Sequence, residues 1–155
     1  MSSRNIDRFN EITGLIFGRL YEAFPLPIRL RPELIGIEER EGAVEGLQEA
    51  EALCVEVQSE EVILFKHSVT WLIQAEYLHS THGDHGSGHF DEARLTAKGL
   101  EVLNAIPTAL TKREPLGEQL VAASKSGGKE LVRSITTEAL GIGVRLGMKA
   151  LGVDV

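Results

Sequence analysis

Apolar residues recur at three- and four-residue steps over the first 24 positions: Ile6, Phe9, Ile12, Leu15, Ile16, Leu20 and Phe24. That spacing lines them along one stripe and predicts an amphipathic helix from Asn5 to Phe24. Pro25 and Pro27 end it, because proline lacks the N–H and restricts the residue before it. Ile28 to Leu30 reads as a short extended piece. The next periodic run is less regular. Gly36, Gly42 and Gly46 each weaken a helix by about 1 kcal/mol relative to alanine. A second helix is predicted from about Glu41 to Leu53, with Ala43, Val44, Leu47 and Ala50 inward. Ser59 suits an N-cap, and Glu60 and Glu61 fall where the helix dipole favours acids. The third helix, Val62 to Glu76, follows.

Tyr77 to Thr81 and Phe90 to Leu95 predict two strands around the loop His82-Gly83-Asp84-His85-Gly86-Ser87-Gly88, whose glycines supply turn conformations. Thr96 then caps a helix through Leu103 to Ile106, which Pro107 stops. Thr108 to Glu118 reads as a linker with Pro115 and Gly117. Gln119 to Leu151 predicts one or two further helices, broken near Ser126-Gly127-Gly128. Within them, Leu131, Ile135, Ala139, Ile142 and Leu146 form one stripe, and Leu140, Val144, Met148 and Leu151 add apolar groups on another side. Gly141, Gly143 and Gly147 leave the backbone open to close approach.

A helix over Val62–Glu76, a hairpin opened by Tyr77-Leu78, and a closing helix opened by Leu95-Thr96-Ala97-Lys98-Gly99-Leu100 resemble the winged helix-turn-helix superfamily. The likeness covers about a third of the chain and rests on a cap and packing residues, so it is a signal of fold. It implies a mainly α (α+β) protein with a winged-helix-like three-helix core and a β-hairpin wing over residues 1–110. A C-terminal helical segment, 111–155, would serve packing or oligomerisation. In that superfamily the third helix commonly enters the DNA major groove and the wing touches the backbone.

Turning the third helix by 100° per residue qualifies that implication. Val62, Phe65, Val69, Leu72 and Ile73 make the core face. The other side carries Glu60, Ile63, Leu64, His67, Trp71 and Gln74, where a base-reading helix shows arginine, lysine, asparagine or glutamine. A helix apolar on nearly all sides is usually covered on nearly all sides. The expected cover is the C-terminal segment or another subunit.

Charge points the same way. The 155 residues carry a net charge of −7, with ten acids against Arg40 alone between Glu33 and Glu61, and 13 acids against 15 bases elsewhere. No segment is strongly basic, which weakens a nucleic-acid reading because phosphate contacts supply most non-specific affinity. Cys54 is the one cysteine; with apolar neighbours and Glu51 and Glu56 nearby it reads as a buried thiol in a reducing compartment. No signal-peptide core and no uncharged apolar stretch of about 18 residues appears, so a cytoplasmic protein with no spanning segment is expected.

Four histidines, His79, His82, His85 and His89, crowd the loop with Asp84, and a hairpin can bring His79 and His89 together across the strands, with His82 or His85 above them. Imidazoles at that density invite zinc or nickel. The alternative is a polar loop tip without a hydrophobic second shell, and no metal ligand is assigned. No nucleophile elbow, triad signature or phosphate loop is present, so no enzyme, catalytic residue or cofactor is expected.

The expected function is therefore a non-enzymatic interaction or self-assembly module, a homo-oligomer or a partner of another protein. Its contacts would come from Ile63, Leu64, Trp71, Leu140, Val144, Met148 and Leu151. The alternative is a DNA-binding transcriptional regulator using Lys66, His67, Arg94 and Lys98 on duplex DNA. A metal-responsive sensor built on the histidine loop is the third reading.

Overall fold

The computed structural model describes residues 4–38, 59–81, 88–105, 114–150 and 152. Among them are five α-helices, α1 (Asn5–Ala23), α2 (Glu60–Gln74), α3 (Ala97–Asn104), α4 (Leu116–Ser126) and α5 (Lys129–Ala150). Three strands, β1 (Ile28–Leu30), β2 (Leu78–His79) and β3 (Phe90–Leu95), form one small antiparallel sheet with β3 in the middle, in the order β1-β3-β2. A 3-10 turn over Pro32–Ile35 follows β1. The helix predicted over 41–53 lies outside the described residues.

The organising element is α1. The sequence predicts a helix with one apolar stripe, yet Glu11, Thr13, Gly14 and Gly18 are buried along with Ile12, Ile16, Phe17 and Leu20, while Ile6 is exposed. The cause lies in α4 and α5, which cover the side of α1 that the sheet and α2 leave open. Gly14 makes the α5 crossing possible: a β-carbon there would overlap Thr136 Oγ1 and Val132 Cγ1. Gly18, one turn on, lies against Leu120 and Ser124 of α4. Two glycines four residues apart thus open one face of α1 to two other helices, a spacing familiar wherever helix backbones approach closely.

Burying that face also buries Glu11, only 5% exposed. Its carboxylate accepts from Arg8 Nη1 at 2.8 Å and lies 3.5 Å from Arg133 Nη2 and 3.6 Å from Lys129 Nζ. Arg8 also reaches Glu61 at the start of α2. A buried carboxylate persists when paired and hydrogen-bonded, and here the pairing joins α1, α2 and α5.

Several boundaries shift from the sequence reading, each for a local reason. α1 stops at Ala23, two residues before Pro25. α2 starts as its cap predicts: Ser59 Oγ accepts from the Val62 N–H, with Glu60 and Glu61 in the first turn. It ends at Gln74 because Glu76 adopts a left-handed φ of 65°. The Glu76 N–H then bonds Ile73 O and the Tyr77 N–H bonds Leu72 O, the paired closure of a Schellman end. β2 holds only Leu78 and His79. α4 begins at Leu116, inside the stretch predicted as linker, with Pro115 preceding its first turn. In β3, Glu92 sits at φ 50° and the register against β1 shifts between the pairs Ile28↔Ala93 and Leu30↔Phe90. This bulge lets Phe90, Ala93 and Leu95 all face the core despite their uneven spacing. On α5 the inward stripe is Val132, Ile135, Thr136, Ala139 and Gly143; Leu131, placed by periodicity on one stripe with Ile135 and Ala139, is exposed.

One core results, drawing on α1 (Phe17), α2 (Phe65), β3 (Phe90), α3 (Leu103), α4 (Leu120) and α5 (Ile135) alike. Replacing Gly14→Ala is expected to lower the unfolding free energy by about 1–3 kcal/mol through overpacking, measured by chemical denaturation.

Candidate interaction surface

The stretch Leu95-Thr96-Ala97-Lys98-Gly99 that suggests a closing helix has a defined task. The Thr96 side chain caps α3 by accepting from the Gly99 N–H at 3.1 Å. Its hydroxyl proton lies within reach of both Glu76 O and Tyr77 O, and its own N–H donates to Tyr77 O at 3.1 Å. Lys98 Nζ donates to Ala75 O at 3.0 Å and lies 4.5 Å from the centroid of the Tyr77 ring. Gly99 approaches so closely that a β-carbon would overlap Tyr77 O. The first turn of α3 therefore receives the three carbonyls that follow α2, and a cation meets the negative end of that helix.

Tyr77 is the residue around which this is built. It is 2% exposed. Its ring packs against Phe17 at 5.7 Å and Trp71 at 6.2 Å between centroids. Its hydroxyl points at α5, 3.4 Å from Leu140 O, where any side chain at residue 143 would collide with the phenol. Burial raises the phenol above its ordinary value of 10.0. Sequence reasoning takes Tyr77 for the opening of a strand and misses this role. The signal was there in the three consecutive residues Glu76-Tyr77-Leu78, where a helix has to stop without glycine or proline.

Trp71 answers in part the question of what covers the second face of α2. Phe9 of α1 meets it edge-on at 5.3 Å, and Tyr77 stacks on it. The indole is still 47% exposed, and Ile63 on the same side of α2 is exposed too. Leu64 is partly buried and packs on the core, as does Leu140. Val144 and Met148 are 55% and 40% exposed. Through Tyr77 the structure links Trp71 to Leu140 and so to the start of the α5 stripe. Leu151 lies outside the described residues.

The residues named for DNA contact are dispersed over three elements: Lys66 and His67 on α2, Arg94 on β3, Lys98 on α3. His67 and Arg94 are exposed. Lys98 is held inward by Ala75 O and Tyr77, a structural engagement that its spacing in the sequence does not reveal. The hairpin register places His79 opposite Arg94 and Leu78 opposite Leu95. His79 and His89 therefore do not face one another across the strands, which corrects the sequence expectation. His82 and His85 lie outside the described residues, and among the described ones no three His, Cys, Asp or Glu side chains converge as metal ligands.

Shallow clefts run beside α1; one, about 840 Å³, is lined by Arg19, Arg29 and Arg31 together with Glu22 and Glu33. Arg29 pairs with Asp91 at 2.6 Å and Glu22 with Lys125 at 3.1 Å, so its charges are mixed and partly neutralised at the rim. No described helix is long and apolar enough to cross a membrane.

Thr96→Ala is expected to cost about 1–2 kcal/mol as a lost cap, and Gly99→Ala about 1–3 kcal/mol through its clash with Tyr77 O, both read by chemical denaturation. The Tyr77 phenol, raised by burial, stays neutral in the fold while the unfolded chain ionises near pH 10. Its stabilisation is complete below that pH and is lost as pH climbs through the folded value. Tyr77→Phe should accordingly show a shallower fall in stability above pH 10 than the native chain. No protein-family model, curated protein or solved structure matches the chain.

Proposed function

We propose that this chain is a non-enzymatic interaction module of winged-helix type that assembles with copies of itself. The fold part of the reading is supported by the element order α1, β1, α2, β2, β3 and by the sheet order β1-β3-β2, which places a hairpin directly after α2. The functional part rests on one observation: the exposed residues of α2 and α5 include large apolar side chains, Trp71, Ile63, Val144 and Met148, beside charged ones. Exposed aromatic and aliphatic side chains of this kind mark protein contacts. Light scattering at tens of micromolar is expected to give an oligomer, and Val144→Glu to give a monomer with unchanged circular dichroism. A native chain that remains a monomer overturns the self-assembly reading.

A DNA-binding regulator is the second reading, favoured by the exposed side of α2 and by the exposed His67 and Arg94. Against it stand the acid and aliphatic residues on that side, Glu60 and Ile63, and the engagement of Lys98. It requires salt-sensitive binding to duplex DNA. A mobility shift that appears at low salt and weakens on replacing Lys66 and His67 would support it; no shift at low salt removes it.

A further inference from the structure

We propose that the cleft between α1 and β1 binds an anionic amphiphile, with a phosphate monoester head held by Arg19, Arg29 and Arg31 and an aliphatic chain leaving over the loop Phe24-Pro25-Leu26-Pro27. The inference is independent of self-assembly.

The arginines come from two parts of the chain and meet around one cleft. Arg19 lies one turn before Ala23 on α1. Arg29 is the middle residue of β1, and Arg31 continues the strand with extended backbone. Two residues apart on an extended chain, they point to the same side. All three are exposed. The cleft, about 840 Å³, falls in the range of about 300–1,000 Å³ typical of small-molecule sites.

The donors of these arginines are mostly unspent. Asp91 holds Arg29 through Nε alone, at 2.6 Å, and neither Nη group has an acceptor among the described residues. Arg19 and Arg31 make no hydrogen bond or ion pair among the described residues. Of the two carboxylates in the lining, Glu22 is held by Lys125 at 3.1 Å and Glu33 has no ion pair among the described residues. With the Arg29–Asp91 and Lys125–Glu22 pairs set aside, two guanidiniums face one carboxylate, an excess of positive charge. Guanidinium forks match phosphate oxygens bidentately. A phosphate monoester brings about −1.5 to −2 charge and three acceptor oxygens, enough for more than one fork.

The remaining wall is apolar, formed by Ala23, Ile28 and Leu34. Ala23 and Ile28 are joined by Phe24-Pro25-Leu26-Pro27, so this uncharged loop stands at the rim. Leu26, 69% exposed, is the most exposed large apolar side chain among the described residues. Its N–H donates to Ala23 O at 2.9 Å. Each proline fixes its own φ, so the loop has little left to order on contact. Arginines beside an apolar wall and rim complement a ligand that carries both an anion and a chain. Inorganic phosphate would engage the arginines alone.

The test titrates dodecyl phosphate, kept below its micelle concentration, into the full chain by isothermal titration calorimetry. Saturable one-to-one binding is expected, at least about tenfold tighter than that of inorganic phosphate, because each buried methylene adds affinity. Arg19→Gln and Arg31→Gln together should weaken it at least about tenfold with unchanged circular dichroism, and Glu33→Gln should tighten it. Leu26→Ser should weaken dodecyl phosphate about threefold to tenfold and leave inorganic phosphate unchanged. Arg145→Gln, an exposed arginine on α5 outside the cleft, should change nothing. Sedimentation with phosphatidylcholine vesicles containing phosphatidic acid separates the two sources of such a ligand. Capture that the double arginine variant abolishes supports the site with a bilayer lipid as ligand. Binding of monomeric dodecyl phosphate without capture supports it with a free amphiphile. No saturable binding of dodecyl phosphate overturns the proposal, as does inorganic phosphate binding equally tightly or binding that survives the double variant. None of these outcomes bears on self-assembly, which light scattering decides.

Discussion

Everything in the described chain turns on how α2 ends. With neither glycine nor proline to stop it, the helix closes through Glu76 in a left-handed conformation, and that places Tyr77 in the core. From there the one side chain reaches Phe17 on α1, Trp71 on α2 and Leu140 on α5, while its carbonyl receives the Thr96 N–H before α3. The strain of a non-glycine residue at positive φ is offset by this set of contacts. Gly99 and Gly143 look unrelated in the sequence; both are small because the same tyrosine, at its carbonyl and its hydroxyl, occupies the space a side chain would need.

The local elements were largely legible because they depend on neighbours in the chain. Periodicity located α1, α2 and the C-terminal helices, Ser59 and Thr96 marked caps, and Ser126-Gly127-Gly128 marked the break between α4 and α5. What was not legible depends on distant partners. The burial of Glu11 requires knowing that Arg133 and Lys129 arrive from more than a hundred residues away. The burial of Thr13, Gly14 and Gly18 on α1 requires α4 and α5. Leu131 and Val132 are equally apolar and adjacent, and only the packing of α5 on α1, where Val132 and Thr136 lie against Gly14, tells which one turns inward. The bulge at Glu92 and the register that separates His79 from His89 likewise follow from strand pairing, which alternation alone does not specify.

The same distinction bears on function. The residues that most resembled a functional motif, Leu95 through Gly99, are engaged with the end of α2, and Lys98 is part of that joint. What remains at the surface after the core is built is more informative than the motif: an indole half covered by Phe9 and Tyr77, and a helix face on α5 where apolar groups alternate with open backbone. Such a surface suits close contact between proteins better than it suits contact with phosphate, whose recognition draws on freely presented cations.

If Tyr77 joins the helices into one cooperative unit, α5 has no stability of its own apart from α1 and α2. Native-state hydrogen exchange measures this directly, amide by amide. The slowest amides of α5, around Ile135 to Ala139, should open with the same free energy as those of α1 around Ile16 and of α2 around Val69, and Tyr77→Ala should lower all three together. If α5 opens at a much lower free energy than α1 and α2, or Tyr77→Ala affects α2 alone, then the C-terminal helices are independently attached and the account is wrong.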